Sequence, residues 1–174
     1  KISRFIPGCR SFDYDNENDV LEAMGLIRTL HQSGAVSPWS YDPYKESKEL
    51  LRLLKKASYP LPGDFDVLSS VIQRLAHLSS LEGGKQVLCH NDFYGPNLLV
   101  HDEGMELIDW EYSAMSDYAC DIGNFVAQGS GYSVERAIAI LPLYFERNPT
   151  DLEIRHCLSY IAIVGFYWYV WAMY

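Results

Sequence analysis

The sequence predicts an α+β fold, mainly α-helical, with a small β-hairpin patch at its centre. Three observations carry that expectation. Amphipathic segments opened by helix-start residues flank the middle of the chain on both sides. Three short runs of strand type, residues 86–89, 97–101 and 105–109, sit between them, and Asp102-Glu103-Gly104 makes a hairpin turn between the last two. A chain of 174 residues with 48% hydrophobic and 21% charged content suits one globular domain with a real core, which excludes disorder, collagen and an obligate coiled coil.

The elements follow in order. Residues 2–8 alternate and then break at Pro7-Gly8, as a short strand entering a linker would. Asn18 or Asp19 can cap a helix that carries Val20, Met24, Ile27 and His31 on one face and stops at Gly34. Asp42-Pro43 starts a second helix, through about Ala57, with the proline in the first turn where its missing N–H costs nothing. Asp64 caps a third, whose Val67, Val71, Leu75 and Leu78 form an apolar stripe that ends at Gly83-Gly84. After Tyr112 the helical period returns, predicting helices over 117–129 and 133–147, the latter kinked at Pro142. Thr150 and Glu153 form a capping box for a last helix that runs to the chain end. Its apolar run, 160–174, falls short of the ~20 residues a membrane span needs, so a buried helix is expected and membrane insertion is not.

A net charge of −9 and a pI of about 4.9 argue against nucleic acid or an anionic membrane surface as main partner, and leave a small cation as a suitable ligand. Four scattered cysteines form no C-x-x-C pair, and no apolar signal region opens the chain, so a reduced, cytoplasmic protein is expected. The chain begins at Lys1 rather than Met and stops inside an apolar run. Both ends suggest a piece of a longer protein.

Chemistry concentrates around the β-patch. His90-Asn91-Asp92 follows a strand, Asn97 lies five residues on, and Ile108-Asp109-Trp110-Glu111-Tyr112 closes the hairpin. Loops at one end of three strands thus deliver carboxylates and a carboxamide together. Hard cations such as Mg²⁺ want oxygen ligands, which an Asn and an Asp supply while leaving room for water and phosphates. A further carboxylate, bound to no metal, is free to accept a proton from a hydroxyl nucleophile. An Asp, an Asn five residues later and an Asp after a hairpin is the order of parts used for phosphoryl transfer in kinases. The plainer alternative is a polar turn region with solvated aspartates.

His90-Asn-Asp-Phe-Tyr-Gly-Pro-Asn97, with Leu107-Ile-Asp-Trp-Glu-Tyr112 and Asp121-Ile-Gly-Asn124, resembles the choline/ethanolamine kinase family, and its bacterial choline kinases in particular. That family belongs to the kinase-like fold shared with aminoglycoside phosphotransferases. D-W-E-Y followed by D-I-G-N is the more specific element, since H-N-D-x-x-x-x-N alone fits any member of the superfamily. The resemblance implies a protein-kinase-like large lobe over residues 13–174, truncated at its C-terminal end, with 1–12 as hinge strand and linker from a missing N-terminal lobe. It implies Asp92 as the catalytic base, Asn97 and Asp109 as Mg²⁺ ligands on the phosphates of ATP, and Glu111 near metal and substrate. Hinge backbone at Phe5, Ile6 and Gly8 would meet the adenine edge, with Ile108 under the ring. Arg10 stands where the family has a basic nucleotide contact, although a surface arginine fits the position nearly as well.

Substrate choice rests on aromatics. Trp168 and Trp171 stand three apart on the last helix and share a face. Tyr112 follows Asp109 and Glu111. Such rings hold a quaternary ammonium by cation–π contact, worth ~0.5–2 kcal/mol per ring, and the family's choline pocket has a W-x-x-W pair. Alone, W-x-x-W reads as core packing; beside D-W-E-Y it reads as a pocket wall. One departure bears on this: eukaryotic members carry an acidic residue where Gln128 stands here. The expected activity is therefore ATP-dependent phosphorylation of the choline hydroxyl. Ethanolamine, an aminoglycoside or another small alcohol remains open as substrate, as does a non-catalytic choline-binding module. The phosphate-covering Gly-rich loop and the strand lysine of this fold precede the hinge, so the 174-residue chain alone is expected to be weakly active or inactive.

Overall fold

The computed structural model describes residues 6–129 and 131–174. Phe5, and most of the strand expected over 2–8, lie outside them. Pro7 and Gly8 form an exposed turn, Gly8 taking a φ of 75° that a side chain would resist. The elements that follow are β1 (Arg10–Ser11), α1 (Glu17–Gln32), α2 (Pro43–Lys56), α3 (Phe65–Glu82), β2 (Gln86–Cys89), β3 (Leu98–His101), β4 (Gly104–Leu107), β5 (Ala114–Asp117), α4 (Ala119–Ala127), α5 (Val134–Phe145) and α6 (Asp151–Met173).

Helix α1 starts at Asn16 rather than at Asn18 or Asp19. The Asn16 side chain accepts the N–H groups of Asn18 at 3.0 Å and Asp19 at 3.4 Å. Asp19 is buried instead, and its carboxylate receives the Arg10 guanidinium through two bonds of 2.6 Å and the Asp13 N–H at 3.1 Å. That pair ties β1 to α1. The expected face of α1 is inside: Val20, Met24, Ile27 and His31 are all buried. Helix α2 has its Asp42 cap and first-turn proline as anticipated.

Of the apolar stripe expected on α3, only Leu75 packs against the core, and it is partly buried. Phe65, Ile72 and Ser79 are its buried residues, while Val67 is 70% exposed, Val71 49% and Leu78 52%. A seam that buries one residue every seven is too narrow for apolar content to mark, so periodicity alone points to the wrong face. Asp64 occupies the capping position without making a side-chain cap bond.

Two small antiparallel sheets form the patch. One has the order β1-β3-β4, with Leu98 opposite Leu107 and His101 opposite Gly104; the other pairs β2 with β5. Strand β5 was hidden because its pattern is inverted, with Ser116 and Asp117 buried. The Ser116 hydroxyl donates to the Tyr41 carbonyl at 3.0 Å, and Asp117 accepts the Ala119 N–H at 2.9 Å, so α4 begins at Ala119 and not at 117. Residues 117 and 118, where the periodicity predicts a helix start, are thus the end of β5 and the N-cap of α4.

Helix α6 is the spine, packed on α4, α2 and α3. At 23 residues it is long and apolar enough to cross a membrane by length and composition, yet Ile163, Val164, Phe166, Tyr167 and Val170 are buried against neighbouring elements. It lies so close to α4 that a Cβ on Gly123 would stand 2.8 Å from the Tyr160 carbonyl oxygen. The glycine of D-I-G-N is there to let two helices approach. One apolar core joins α1, the β3-β4 hairpin, α4 and α5; a second joins α2, α3 and α6.

Candidate functional site

The loop from β2 to β3 carries His90, Asn91 and Asp92, and its shape is set from below by α4. Asp121, wholly buried, accepts the His90 N–H at 2.9 Å and the Asn91 N–H at 2.7 Å, and meets His31 Nε2 at 3.0 Å. Asn91 is held at φ 64°, a left-handed conformation that asparagine tolerates better than most residues. Its side-chain amide donates to the Tyr112 carbonyl at 3.0 Å. His90, also fully buried, donates from Nε2 to the Ile108 carbonyl at 2.8 Å, while Nδ1 accepts the Asp92 N–H at 3.3 Å. One imidazole therefore joins the Asp92 loop to the turn that carries Asp109. Asp109 is itself left-handed, at φ 63°. From the other side, Tyr14 accepts the Gly95 N–H at 2.9 Å.

Asp92 stands half-buried at the mouth of this frame. Asn97 Nδ2 donates to its backbone oxygen and to Oδ2, each at 2.9 Å, and Gln128 Nε2 donates to Oδ1 at 3.2 Å. Burial pushes the Asp92 carboxyl above the usual carboxylate range, against the bonds from Gln128 and Asn97 that favour the anion; the charge of nearby Asp109 adds to the rise. Asp109 is exposed, and its charge also acts on Tyr94 and Tyr112. The hairpin brings Asn97 beside it, since the Ile108 N–H bonds the Asn97 carbonyl at 3.0 Å.

These groups suit a hard cation. Asn97 Nδ2 is committed to Asp92, so Oδ1 is the atom it can offer, and among the described residues neither that oxygen nor the Asp109 carboxylate accepts a hydrogen bond.

An aromatic wall rises on the α6 side. Tyr112 meets Trp168 edge-on with ring centroids 6.0 Å apart, and Trp168 meets Trp171 at 5.6 Å. Tyr167 backs Trp168 at 4.9 Å and is itself backed by Tyr41 at 5.8 Å. Trp171 is 47% exposed, so its ring is open to a ligand. The Tyr112 hydroxyl is pushed up by burial and then by the charges of Glu111, Asp92 and Asp109, which places the wall and the carboxylates in one field.

Asp92, Asn97, Ile108, Asp109, Glu111, Tyr112, Trp168 and Trp171 therefore form one neighbourhood. Ile6 is half-buried and its carbonyl accepts the Cys9 thiol at 3.4 Å. Arg10 pairs its guanidinium with Asp19 while about half of its side chain stays exposed. Sequence reasoning gave no role to His90, Asn91, Asp121, Asn124 or Tyr14. D-I-G-N carries a family resemblance, and the paired Asp and Asn of a buried helix are themselves a signal that something nearby must be hydrogen-bonded.

The sequence family described as choline/ethanolamine kinase matches residues 27–164. A curated relative, protein LicA of Haemophilus influenzae (strain ATCC 51907 / DSM 11121 / KW20 / Rd), is 26% identical over 168 residues, covering 90% of this chain and 61% of that protein. The chain thus spans about three fifths of that relative's length. Among solved structures, a choline/ethanolamine kinase family protein from Mesorhizobium loti superposes with a TM-score of 0.89 at 23% identity, over 98% of this chain and 60% of the other. Choline kinase LicA from Streptococcus pneumoniae gives 0.80 at 19% identity, covering 97% and 59%. A LicA complex with AMP gives 0.78 at 20% identity, covering 97% and 58%. The α+β, kinase-like large-lobe architecture expected of the sequence is the one these structures share with it. The match across most of the sequence carries the conclusion that fold alone could not: the chain belongs to the choline/ethanolamine kinase family.

Proposed function

We propose that the protein to which this chain belongs phosphorylates the hydroxyl of choline at the expense of ATP, and that this chain is its large lobe, supplying base, metal ligands and alcohol pocket. The observation that carries the reading is the pairing of a half-buried, doubly hydrogen-bonded Asp92 with a partly open wall of Tyr112, Trp168 and Trp171. A trimethylammonium group has no N–H to donate, so rings are better partners for it than carboxylates. One structural neighbour is a choline kinase and another holds AMP, and both support this substrate pair.

In this reading Asp92 Oδ2 and Oδ1 are oriented by Asn97 and Gln128, which leaves the carboxylate aimed but not neutralised. It accepts the hydroxyl proton as the alcohol oxygen attacks the terminal phosphate. Burial strengthens it as a base in the same sense that it raises its pKa. Asn97 Oδ1 and Asp109 would hold Mg²⁺, which when bound would supply positive charge against that of the phosphates. Glu111 adds a negative charge beside the cationic headgroup, and the indoles exclude water from it. Catalysis is then mainly positioning and charge compensation. Ile6, Gly8 and Ile108 are proposed to border the nucleotide base, and a cytoplasmic setting fits the ATP requirement.

The test is ATP-dependent phosphorylation by the whole protein, with choline, ethanolamine and an aminoglycoside compared at equal concentration with and without Mg²⁺. Phosphocholine as the preferred product, lost in Asp92→Ala, is the expected result. Ethanolamine preferred over choline would overturn the substrate, and choline binding without turnover would overturn the reaction.

A further inference from the structure

Between the base and the indole wall lies a short chain of hydrogen bonds that continues from the Gln128–Asp92 bond to the Trp168 indole. Trp168 Nε1 donates to Asn124 Oδ1 at 2.7 Å, and Gln128 Nε2 donates to the same oxygen at 3.1 Å. Gln128 Nε2 also donates to Asp92 Oδ1 at 3.2 Å. The direction of every bond is settled by chemistry. Asn124 Nδ2 is occupied by the carbonyls of Asn91 at 3.1 Å and Cys120 at 3.0 Å, so its oxygen must face the indole and the glutamine. Gln128 in turn sits between two acceptors, the Asn124 oxygen and the Asp92 carboxylate, and only its amide nitrogen can serve both. Asn124 is buried, so its oxygen cannot exchange these donors for water at will.

We propose that Asn124 and Gln128 are positioning residues that couple the Trp168 indole to the Asp92 carboxylate, so that the wall of the cation pocket and the base are set as one unit. The proposal rests on the reading of Asp92 as base and Trp168 as pocket wall. An indole displaced by a poorly fitting headgroup changes its hold on the Asn124 oxygen, which the Gln128 amide shares, and the amide's hold on Asp92 changes with it. A carboxylate at position 128 would face two acceptors with no proton to give. Position 128 here therefore serves the base rather than the substrate cation.

Two measurements test this. In ¹H–¹⁵N spectra the indole N–H of Trp168 is identified by its loss in Trp168→Phe. Gln128→Leu and Gln128→Glu are expected to shift that resonance, because each removes the second donor from the shared oxygen. Residue 128 is only half-buried, so these variants are expected to fold. In steady-state assays of the whole protein with choline and ATP, Trp168→Phe keeps a ring but loses the donor. It is expected to lower kcat as well as raise KM, and the kcat losses of Trp168→Phe and Gln128→Leu combined should fall short of their product by about threefold or more. An indole resonance unmoved by either Gln128 variant, or strictly multiplicative kcat losses, overturns the coupling. A shifted resonance in a protein that phosphorylates no alcohol upholds the coupling and overturns the kinase reading instead.

Discussion

Removing the Asp121 carboxylate should loosen the loop that presents Asp92 and cost the protein much of its stability. In Asp121→Ala the backbone N–H groups of His90 and Asn91, bonded at 2.9 and 2.7 Å, lose their acceptor, and so does His31 Nε2 at 3.0 Å. The site is fully buried, so water does not replace the lost oxygens freely. An unsatisfied buried donor costs ~1–3 kcal/mol. Three of them, with some relaxation of the loop, give about 3–6 kcal/mol, a large share of the ~5–15 kcal/mol that holds a typical domain folded. Two of the three bonds also keep Asn91 in its left-handed conformation, so the position of the next residue, Asp92, goes with them. Asp121→Asn keeps one acceptor but turns an NH₂ toward a donor, and should lose about half as much. Urea unfolding followed by far-UV circular dichroism measures it. At a slope of ~2 kcal/mol per molar urea, the Asp121→Ala midpoint should fall by about 1.5–3 M. A midpoint within about 0.3 M of the parent protein would refute the argument that Asp121 holds this loop.

Gly123→Ala should destabilise by about 1–3 kcal/mol, because the new Cβ meets the Tyr160 carbonyl oxygen at 2.8 Å; a thermal midpoint equal to the parent's would show that α4 and α6 can part at no cost. His156 gives a pH dependence. Burial lowers its pKa, but the hydrogen bond and charge of Asp117, joined by Glu82, outweigh burial and leave it raised above the ordinary histidine value of about 6.5. Its contribution is therefore complete below about pH 6.5 and is lost as pH rises through the higher folded value. The gap in urea midpoint between the parent and His156→Gln should be wider at pH 6 than at pH 9, and a gap that widens with pH would contradict the assignment. Trp171→Ala removes an exposed ring, so the fold should hold while KM for choline rises roughly 2- to 30-fold, the equivalent of ~0.5–2 kcal/mol of cation–π contact. An unchanged KM would place the cation elsewhere.

What the sequence alone makes legible is what local chemistry decides. The hairpin at residues 102–104 needs only its turn residues and flanking apolar positions. The Asp42 cap with its proline and the Thr150/Glu153 box need only contacts within one helical turn. The spacing of Asp92, Asn97 and Asp109 is set by a loop and a hairpin of fixed length, so their convergence follows from neighbours in sequence.

Tertiary structure alone decided the rest. Whether Asn16 or Asp19 caps α1 depends on Arg10, which claims Asp19 from another element. Which face of α3 is inside depends on how α6 lies against it, and Ser116 in β5 is buried because Tyr41 offers it an acceptor. Much of the frame around Asp92 comes from bonds between residues far apart in sequence, among them Asp121 to Asn91, Gln128 to Asp92, and Trp168 to Asn124, 30 to 44 positions apart. A buried polar side chain must find a partner, but its sequence neighbours do not say which, because the choice is made by whatever acceptor or donor the packed helices bring within 3 Å.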